Sequence, residues 1–289
     1  MVTPTPRPRS LILTVYGAFV RDLGGWIAIA DLIQLMSGVG VDAQAVRSSI
    51  SRLKRRGTLV ARKRDGLRGG AVGYALSDPA WAIFAEGDRR IYGGVQPAPR
   101  DDGWVLAVFS VPEAERRQRH VLRSRLAWLG FGNTAAGVWV APAHLLDDAR
   151  ATLERLDLTR YVHLFRADYV DFADPRAAVG QWWDLDALQS MYGAFLDTYR
   201  PMLTRWNDQA AAGPGRVADA RAYRDYVVAL TDWRRLPYLD PGLPVELLPP
   251  HWNAAKAARL FAQLTELLRE PGLRHVQAVT GLSRAAAVR

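Results

Sequence analysis

The sequence predicts a multidomain α+β protein: an N-terminal winged helix-turn-helix domain, a central ferredoxin-like domain and a C-terminal helical domain. Three observations support this class. A basic amphipathic helix is followed directly by a hairpin pattern, the middle of the chain reads β-α-β-β-α-β, and the last third is helical and rich in aromatic residues. We expect domains at 1–92, 104–173 and 174–289, with a linker at 93–103. With 289 residues, 49% of them hydrophobic, each domain is large enough for its own core.

Positive charge is concentrated near the N-terminus. The formal net charge is +9, and residues 1–95 hold fourteen Lys/Arg against seven Asp/Glu, whereas the rest hold twenty-four against twenty-two. Such asymmetry indicates a nucleic-acid-binding end and a nearly neutral remainder. The absence of cysteine excludes disulfides and cysteine nucleophiles, and it fits a reducing cytoplasm. No apolar run approaches the roughly 20 residues of a membrane span, so we expect a cytoplasmic protein with no membrane partner.

The first domain begins with a proline-rich arm over residues 1–9, which we expect to be flexible. A helix is expected from about Ser10 to Asp22 and a second from Trp26 to Met36, opened by a short strand. The glycine-containing turn 38–40 then leads into a third helix. This spacing of helix, turn and helix is that of a helix-turn-helix unit.

The third helix is expected between Asp42 as N-cap and Gly57 as the stop. Val46, Ile50 and Leu53 recur at helical spacing and form one apolar stripe. Between Arg47 and Arg64 there are eight basic residues and no acid. The polar residues opposite the stripe suit a helix laid in the major groove of DNA, where arginine pairs with guanine and glutamine with adenine.

From this helix and the strand after it we derive two sets of DNA-binding candidates. The base-reading candidates are Gln44, Arg47, Ser48 and Ser51. The phosphate-binding candidates are Arg52, Lys54, Arg55, Arg62, Lys63, Arg64 and Arg68. An ordinary solvated basic helix would have the same composition, so the helix alone does not decide between the two interpretations.

A hairpin pattern follows the basic helix. Thr58 to Arg64 reads as a strand, 65–70 as a glycine-rich turn, and Ala71 to Ser77 as the returning strand. Arg64 and Arg68 lie near its tip, which favours a wing that contacts the DNA backbone or minor groove over a hairpin without function. Residues 79–92 then read as a helix.

The central domain has the pattern of a split βαβ fold. Its expected elements are a strand at 104–111, a helix from Glu113 to Leu129, a weak strand from Phe131 to Thr134, a strand from Val138 to Val140, a helix from His144 to Leu156 and a strand from Tyr161 to Val170. The third domain adds aromatic-rich helices, loops at 210–215 and 237–250, and a final helix from Trp252 to Leu268. We expect the residues from Pro271 onward to be frayed.

Four segments together resemble the PaaX family of bacterial transcriptional repressors of phenylacetic acid degradation. They are VDAQAVRSSISRLKRRG, WVLAVFSVPE, GVWVAP and WRRLPYLDPGLPVELLPPHW, and the resemblance extends from about Arg9 to Leu268. The most specific part is Leu239-Asp240-Pro241 with the leucine–proline pairs after it. The resemblance implies a homodimeric repressor of an aromatic catabolic operon. Such a repressor binds double-stranded operator DNA and is released by phenylacetyl-CoA or a related CoA thioester, without a cofactor.

A CoA thioester requires cations for its phosphates and an apolar slot for its acyl group. By residue type, the third domain supplies effector-binding candidates: Trp182, Trp183, Tyr192, Tyr199, Trp233, Arg234 and Arg235. An ordinary helical core with surface arginines would contain the same residues, and no spacing argument brings the seven together.

The sequence offers no catalytic motif: it has no G-x-S-x-G, no H-E-x-x-H and no P-loop. We therefore expect a protein with no enzymatic activity, no catalytic residues and no metal. The central pattern also resembles small CRISPR-associated nucleases, but the end of the first strand and the residues after it read Ser110-Val111-Pro112-Glu113, without the aspartate that those nucleases place there for a divalent metal. A metal-dependent nuclease and an acyl-CoA-processing enzyme remain the alternatives.

Overall fold

A computed structural model describes residues 7–64, 71–170, 174–211 and 216–284. The chain divides into two compact units, one comprising Met1–Tyr92, Phe195–Arg234 and Ala258–Arg289, the other Gly93–Ala194 and Arg235–Ala257. Each unit combines helices with an antiparallel sheet, which confirms the mixed α/β class. Within the described ranges, no helix is both long and apolar enough to cross a membrane.

The first unit opens with helices and a three-stranded sheet. Its elements are α1 (Pro8–Val15), continued by a π-helical turn (Tyr16–Val20) and a 3-10 turn (Arg21–Leu23), then β1 (Trp26–Ala28), α2 (Ile29–Gly38), α3 (Ala43–Arg55), β2 (Leu59–Arg64), β3 (Ala71–Leu76) and α4 (Asp78–Gly93). The strand order is β1-β3-β2, with both pairs antiparallel. Pro8 begins α1, where its missing N–H needs no partner. The predicted arm is therefore helical from Pro8, and its residues 1–6 lie outside the described part.

Both predicted ends of α3 are confirmed. The Asp42 carboxylate accepts a hydrogen bond from the backbone N–H of Ala45 at 2.8 Å, as an N-cap does. Gly57 has φ +69°, a left-handed conformation that favours glycine. The N–H of Gly57 donates to the carbonyl of Lys54, and that of Thr58 to Leu53, both at 3.0 Å. These two bonds form a Schellman stop, which directs the chain out of the helix and into β2.

Helices from the C-terminal part of the chain complete the first unit. They are the part of α8 (Leu185–Ala211) from Phe195 onward, α9 (Arg216–Trp233) and the larger part of α11 (Ala254–Thr280). The ring of Phe19 lies 5.7 Å from that of Tyr223 and 5.8 Å from that of Tyr226, so these aromatic residues form one core with α1. Residues 212–215 of the predicted loop between α8 and α9 lie outside the described part.

The expectation that the chain frays from Pro271 is wrong, because α11 continues through it to Thr280. Leu273 and Val276 beyond the proline are buried. A Cβ on Gly272 would lie 3.0 Å from Cζ of Phe19, so the helix passes very close to the core there. Burial of this last stretch outweighs the backbone hydrogen bond that proline cannot donate.

The second unit contains the predicted β-α-β-β-α-β sequence. Its elements are β4 (Trp104–Phe109), a 3-10 turn (Glu113–Glu115), α5 (Arg116–Trp128), β5 (Gly132–Ala135), β6 (Val138–Pro142), α6 (Leu146–Arg155) and β7 (Val162–Ala167). The strand order β5-β6-β4-β7, with antiparallel neighbours, is that of a ferredoxin-like sheet, and the weak strand is present as β5.

The two faces of this sheet have separate cores. On one face, α5 and α6 pack through Leu122, Leu126 and Leu153 against Val105 and other strand residues. On the other face, Val140 packs with residues of the following segments, including α7 (Pro175–Trp182). The short helix α10 (Leu236–Leu239) also belongs to this unit.

Candidate nucleic-acid interface

Helix α3 separates an apolar face from a polar one. Val46, Ile50 and Leu53 are at most 2% exposed, as the stripe predicted. The polar candidates on the other side are all exposed; they are Gln44, Arg47, Ser48, Ser51 and Arg55. The structure therefore brings the four predicted base-reading residues onto one accessible helix face.

The predicted phosphate-binding cations continue this surface along α3 and β2. Arg52, Lys54, Arg55, Arg62 and Lys63 are exposed. The Arg52 guanidinium donates to Oγ of buried Ser49 at 3.2 Å, which restrains it along the helix. Within residues 7–64, 71–170, 174–211 and 216–284, no acid forms an ion pair with Arg47, Lys54 or Arg55. Arg64 ends β2, and Arg68 lies outside the described residues.

Two further arginines belong to this surface and were not among the predicted candidates. Burial, together with the nearby positive charges of Arg56 and Arg52, lowers the pKa of Arg9. Arg9 at the start of α1 is therefore close to the basic end of α3, and exposed Arg56 caps that end. The basic run indicates Arg56, whereas Arg9 falls within the arm that we expected to be flexible.

The hairpin beside α3 is fixed to the elements that precede it. The indole N–H of Trp26 donates to the backbone carbonyl of Arg62 at 3.1 Å. The Tyr16 hydroxyl donates to the backbone carbonyl of Tyr74 at 3.0 Å. A Cβ on Gly73 would lie 2.4 Å from the Ile27 carbonyl oxygen, so β1 and β3 approach more closely there than any other residue would allow. These contacts hold β2 and its basic residues in a defined orientation.

Helix α1 connects α3 to the C-terminal helices of the same unit, since it packs against both α3 and α9. The hydroxyls of Thr14 and Thr231 are hydrogen-bonded at 2.7 Å. Arg234, a predicted effector contact, donates to the Ser10 hydroxyl at 2.7 Å. In this structure Arg234 therefore holds the start of α1.

The seven predicted effector residues are distributed over both units. Trp182, Trp183, Tyr192 and Arg235 belong to the second unit, and Tyr199, Trp233 and Arg234 to the first. Four of the aromatic residues, Trp183, Tyr192, Tyr199 and Trp233, are at least nine-tenths buried, Trp182 is half-buried, and Arg235 is exposed. The seven residues are thus divided between the two units, and their role in effector binding stays a prediction.

The buried polar groups of these aromatic residues have partners within the protein. The indole N–H of Trp183 donates to the Gly130 carbonyl at 2.8 Å, and that of Trp233 to the Ile91 carbonyl at 2.9 Å. The Tyr192 hydroxyl donates to Asp240 at 2.9 Å; burial, with the nearby Asp240 charge, raises the pKa of Tyr192. The Tyr199 hydroxyl donates to Asp232 at 2.7 Å, and burial, with the nearby Asp232 charge, raises the pKa of Tyr199. The polar atoms of all four side chains are therefore already hydrogen-bonded within the protein.

The end of β4 is where a nuclease of this fold would bind its metal. The nearest acid along the chain, Glu113, lies 3.3 Å from Arg119 in an ion pair. Throughout the described ranges, no three His, Asp or Glu side chains are grouped so that they could hold a metal ion.

Three protein-family models together match most of the chain. Residues 7–80 match the family described as PaaX-like protein, 97–179 the PaaX protein central Cas2-like domain, and 183–278 the PaaX-like protein C-terminal domain. The Cas2-like match agrees with the ferredoxin-like sheet.

Two individual proteins are similar over most of their length. Transcriptional repressor PaaX of Escherichia coli (strain K12) is 28% identical over 270 residues, which are 92% of this chain and 82% of that protein. The solved structure of uncharacterized protein Rv0674 from Mycobacterium tuberculosis has a TM-score of 0.55 at 24% identity, covering 93% of this chain and 96% of the other. This second likeness concerns the fold alone.

Proposed function

The chain belongs to the PaaX family, and from this premise we propose that it is a transcriptional repressor that binds double-stranded operator DNA through α3. The observation that carries the proposal is the exposed, acid-free face of α3, followed directly by a basic strand. Family membership points to a regulator rather than to an enzyme.

In the proposed binding mode the N-terminal elements act as a winged helix. Helices α2 and α3 form the helix-turn-helix, with α3 in the major groove, and the hairpin of β2 and β3 is the wing. Gln44, Arg47, Ser48 and Ser51 contact base edges. The remaining cations contact phosphates; they are Arg52, Lys54, Arg55, Arg62, Lys63, Arg64 and Arg68, to which we add Arg9 and Arg56.

We propose that the repressor acts in the cytoplasm as a homodimer. A two-fold dimer presents two copies of α3 to two operator half-sites in successive major grooves, about 34 Å apart or a multiple of that distance. The operator is then expected to be an inverted repeat, because its symmetry mirrors that of the dimer.

The proposed regulated genes are an operon for phenylacetate-type aromatic catabolism, and the proposed effector is phenylacetyl-CoA or a related CoA thioester. The effector releases the operator by favouring a dimer geometry in which the spacing of the two α3 helices no longer matches the half-sites. The packing of α9 on α1 supports a role for the C-terminal helices in this response, since α1 also packs on α3.

A gel-shift titration with the promoter DNA next to the chain's own gene tests the proposal. We expect a specific shift that a scrambled duplex of equal length does not give, and its loss when phenylacetyl-CoA is added. Phenylacetate and free coenzyme A are the matched controls and are expected to leave the complex intact. No shift on the promoter would contradict the repressor role, and a shift indifferent to phenylacetyl-CoA would contradict the proposed effector.

A further inference from the structure

Two adjoining cavities open beside α5 in the central domain. Their volumes are about 560 and 800 Å³, in the range of small-molecule sites. Arg119, Arg123 and Trp139 line both, and Arg116 and Arg117 line the larger one. We call the two together the arginine-lined cavity.

The charge of this cavity is strongly positive. The acid that lines it, Glu113, is paired with Arg119, which also donates to the Val111 carbonyl at 2.8 Å. Arg116, Arg117 and Arg123 are exposed, and none of them forms an ion pair with an acid in the part of the chain that the structure describes. Three uncompensated guanidinium groups on one wall favour a ligand with several negative charges.

Trp139 on β6 supplies a second, independent indication of a ligand. The residue is 7% exposed, and its indole Nε1 is buried without a hydrogen-bond acceptor among the described residues. A buried donor without a partner destabilises a protein by about 1–3 kcal/mol, and folded proteins contain few of them. A rotation of the Trp139 ring toward the cavity that it lines would let this donor bond to an oxygen of a bound ligand.

The wall opposite α5 is fixed by a close backbone approach. Gly137, in the turn between β5 and β6, has φ +78°, and a Cβ there would lie 2.7 Å from the carbonyl oxygen of Phe109. The N–H of Phe109 donates to the Gly137 carbonyl at 2.8 Å. The Asn133 side chain donates to the carbonyls of Ala135 and Val138, at 2.9 and 3.1 Å. The cavity is therefore preorganised by the main chain of the hairpin.

We propose that the arginine-lined cavity binds a small organic ligand that carries two or more phosphate groups. Guanidinium groups match phosphate oxygens in charge and in hydrogen-bond geometry. The concave shape and the buried indole donor favour a small molecule over a DNA backbone, which would lie across the surface. The choice of coenzyme A as the first probe rests on the proposed function, whereas the assignment of the cavity to a phosphate-bearing ligand does not.

Isothermal titration calorimetry on the full-length chain, without DNA, tests this site with coenzyme A, ADP and inorganic pyrophosphate. We expect at least one of the three to bind. Arg123→Ala and Arg116→Ala should each weaken that binding by about tenfold, and Trp139→Phe, which keeps the ring and removes the donor, should weaken it several-fold. Arg125→Ala removes the same charge from an exposed position of α5 outside the cavity, so it should change affinity by less than about twofold.

Three results would overturn the proposal. The first is that no probe binds at millimolar concentration, and the second is that Arg125→Ala loses as much probe affinity as the cavity variants. The third is that the cavity variants weaken promoter binding but not probe binding, which would assign the surface to nucleic acid. Arg123→Lys keeps the charge without the forked donor, and its partial loss would support the site. The shift of the promoter DNA by the protein alone is measured before any CoA compound is added, so failure of this site leaves that DNA-binding result unaffected.

Discussion

Thr14 and Thr231 are 217 positions apart in the chain, and their hydroxyl oxygens are 2.7 Å apart in a buried hydrogen bond. Each hydroxyl also lies within hydrogen-bonding distance of a carbonyl one turn earlier in its own helix, that of Ser10 at 3.1 Å from Thr14 and that of Val227 at 2.7 Å from Thr231. Because each hydroxyl has one proton, one threonine donates to the other, and the second donates to its carbonyl. The pair therefore joins the turns of α1 and α9 side by side. A polar contact inside this core fixes the register between the two helices more specifically than apolar packing alone.

The first prediction concerns this pair. Thr14→Val and Thr231→Val should each lower the free energy of unfolding by about 1–2 kcal/mol, since each leaves a buried hydroxyl with fewer partners. The double variant should lose less than the sum, because two apolar groups of the same shape then face each other. Urea unfolding of all four proteins measures the coupling, and simple additivity would show that the two hydroxyls do not interact.

The second prediction concerns base reading. Arg47→Ala should weaken binding to the operator by about 1–3 kcal/mol and relax the preference at one base position, because a bidentate contact with a base edge is lost. Competition titrations against operators with single substitutions measure both effects. Arg150→Ala, at an exposed site in the second unit, is the charge-matched control. An equal loss on every sequence would place Arg47 among the phosphate contacts instead.

The third prediction concerns the salt dependence of DNA binding. Lys54→Ala should reduce the slope of log affinity against log salt concentration by about one unit, without changing base preference, because one phosphate contact is removed. Lys256→Ala is the matched control, since Lys256 is also an exposed lysine but lies at the start of α11. An unchanged slope for Lys54→Ala would show that this side chain does not contact the DNA.

The fourth prediction concerns the close approach at Gly73. Gly73→Ala places a Cβ 2.4 Å from the Ile27 carbonyl oxygen and 2.5 Å from the Trp26 ring, so the hairpin must shift, at a loss of about 2–3 kcal/mol. Gly180→Ala is the control: Gly180 is exposed in α7 with nothing within 4 Å of its Cβ position. That variant should gain about 0.5–1 kcal/mol. Thermal unfolding compares the two, and equal effects would contradict the close approach of strands β1 and β3.

The fifth prediction concerns pH. Burial lowers the pKa of His275 below its ordinary value near 6.5, although the charge of Asp219 acts in the opposite direction. The ring centroid of His275 lies 5.3 Å from that of Tyr223. Below about pH 6.5 the unfolded chain therefore binds a proton that the folded chain does not, so stability falls as the pH decreases toward the folded pKa. His275→Gln should lose less stability than the parent between about pH 7.5 and 5.5 in urea titrations. Parallel losses would show that His275 does not contribute.

Features encoded by a few consecutive residues could be predicted from the amino-acid sequence alone. The ends of α3 follow from Asp42 and Gly57, and its buried stripe follows from the spacing of Val46, Ile50 and Leu53. The order of strands and helices in the central domain follows from local alternation of apolar runs and turns. Each signal depends on neighbours within one or two turns, so it can be read without knowing the rest of the fold.

Features that depend on residues distant in sequence emerged only from the packing of the folded chain. Pro271 remains inside α11 because the turns after it are buried, although proline locally predicts a helix end. Arg9 lies near Arg52 and Arg56 because α1 packs on α3. Trp183 and Tyr199, grouped by residue type as effector contacts, lie in different units with their polar atoms bonded to the protein. Packing contacts of this kind are set by the whole chain, so composition indicates which residue types are available but not which of them meet.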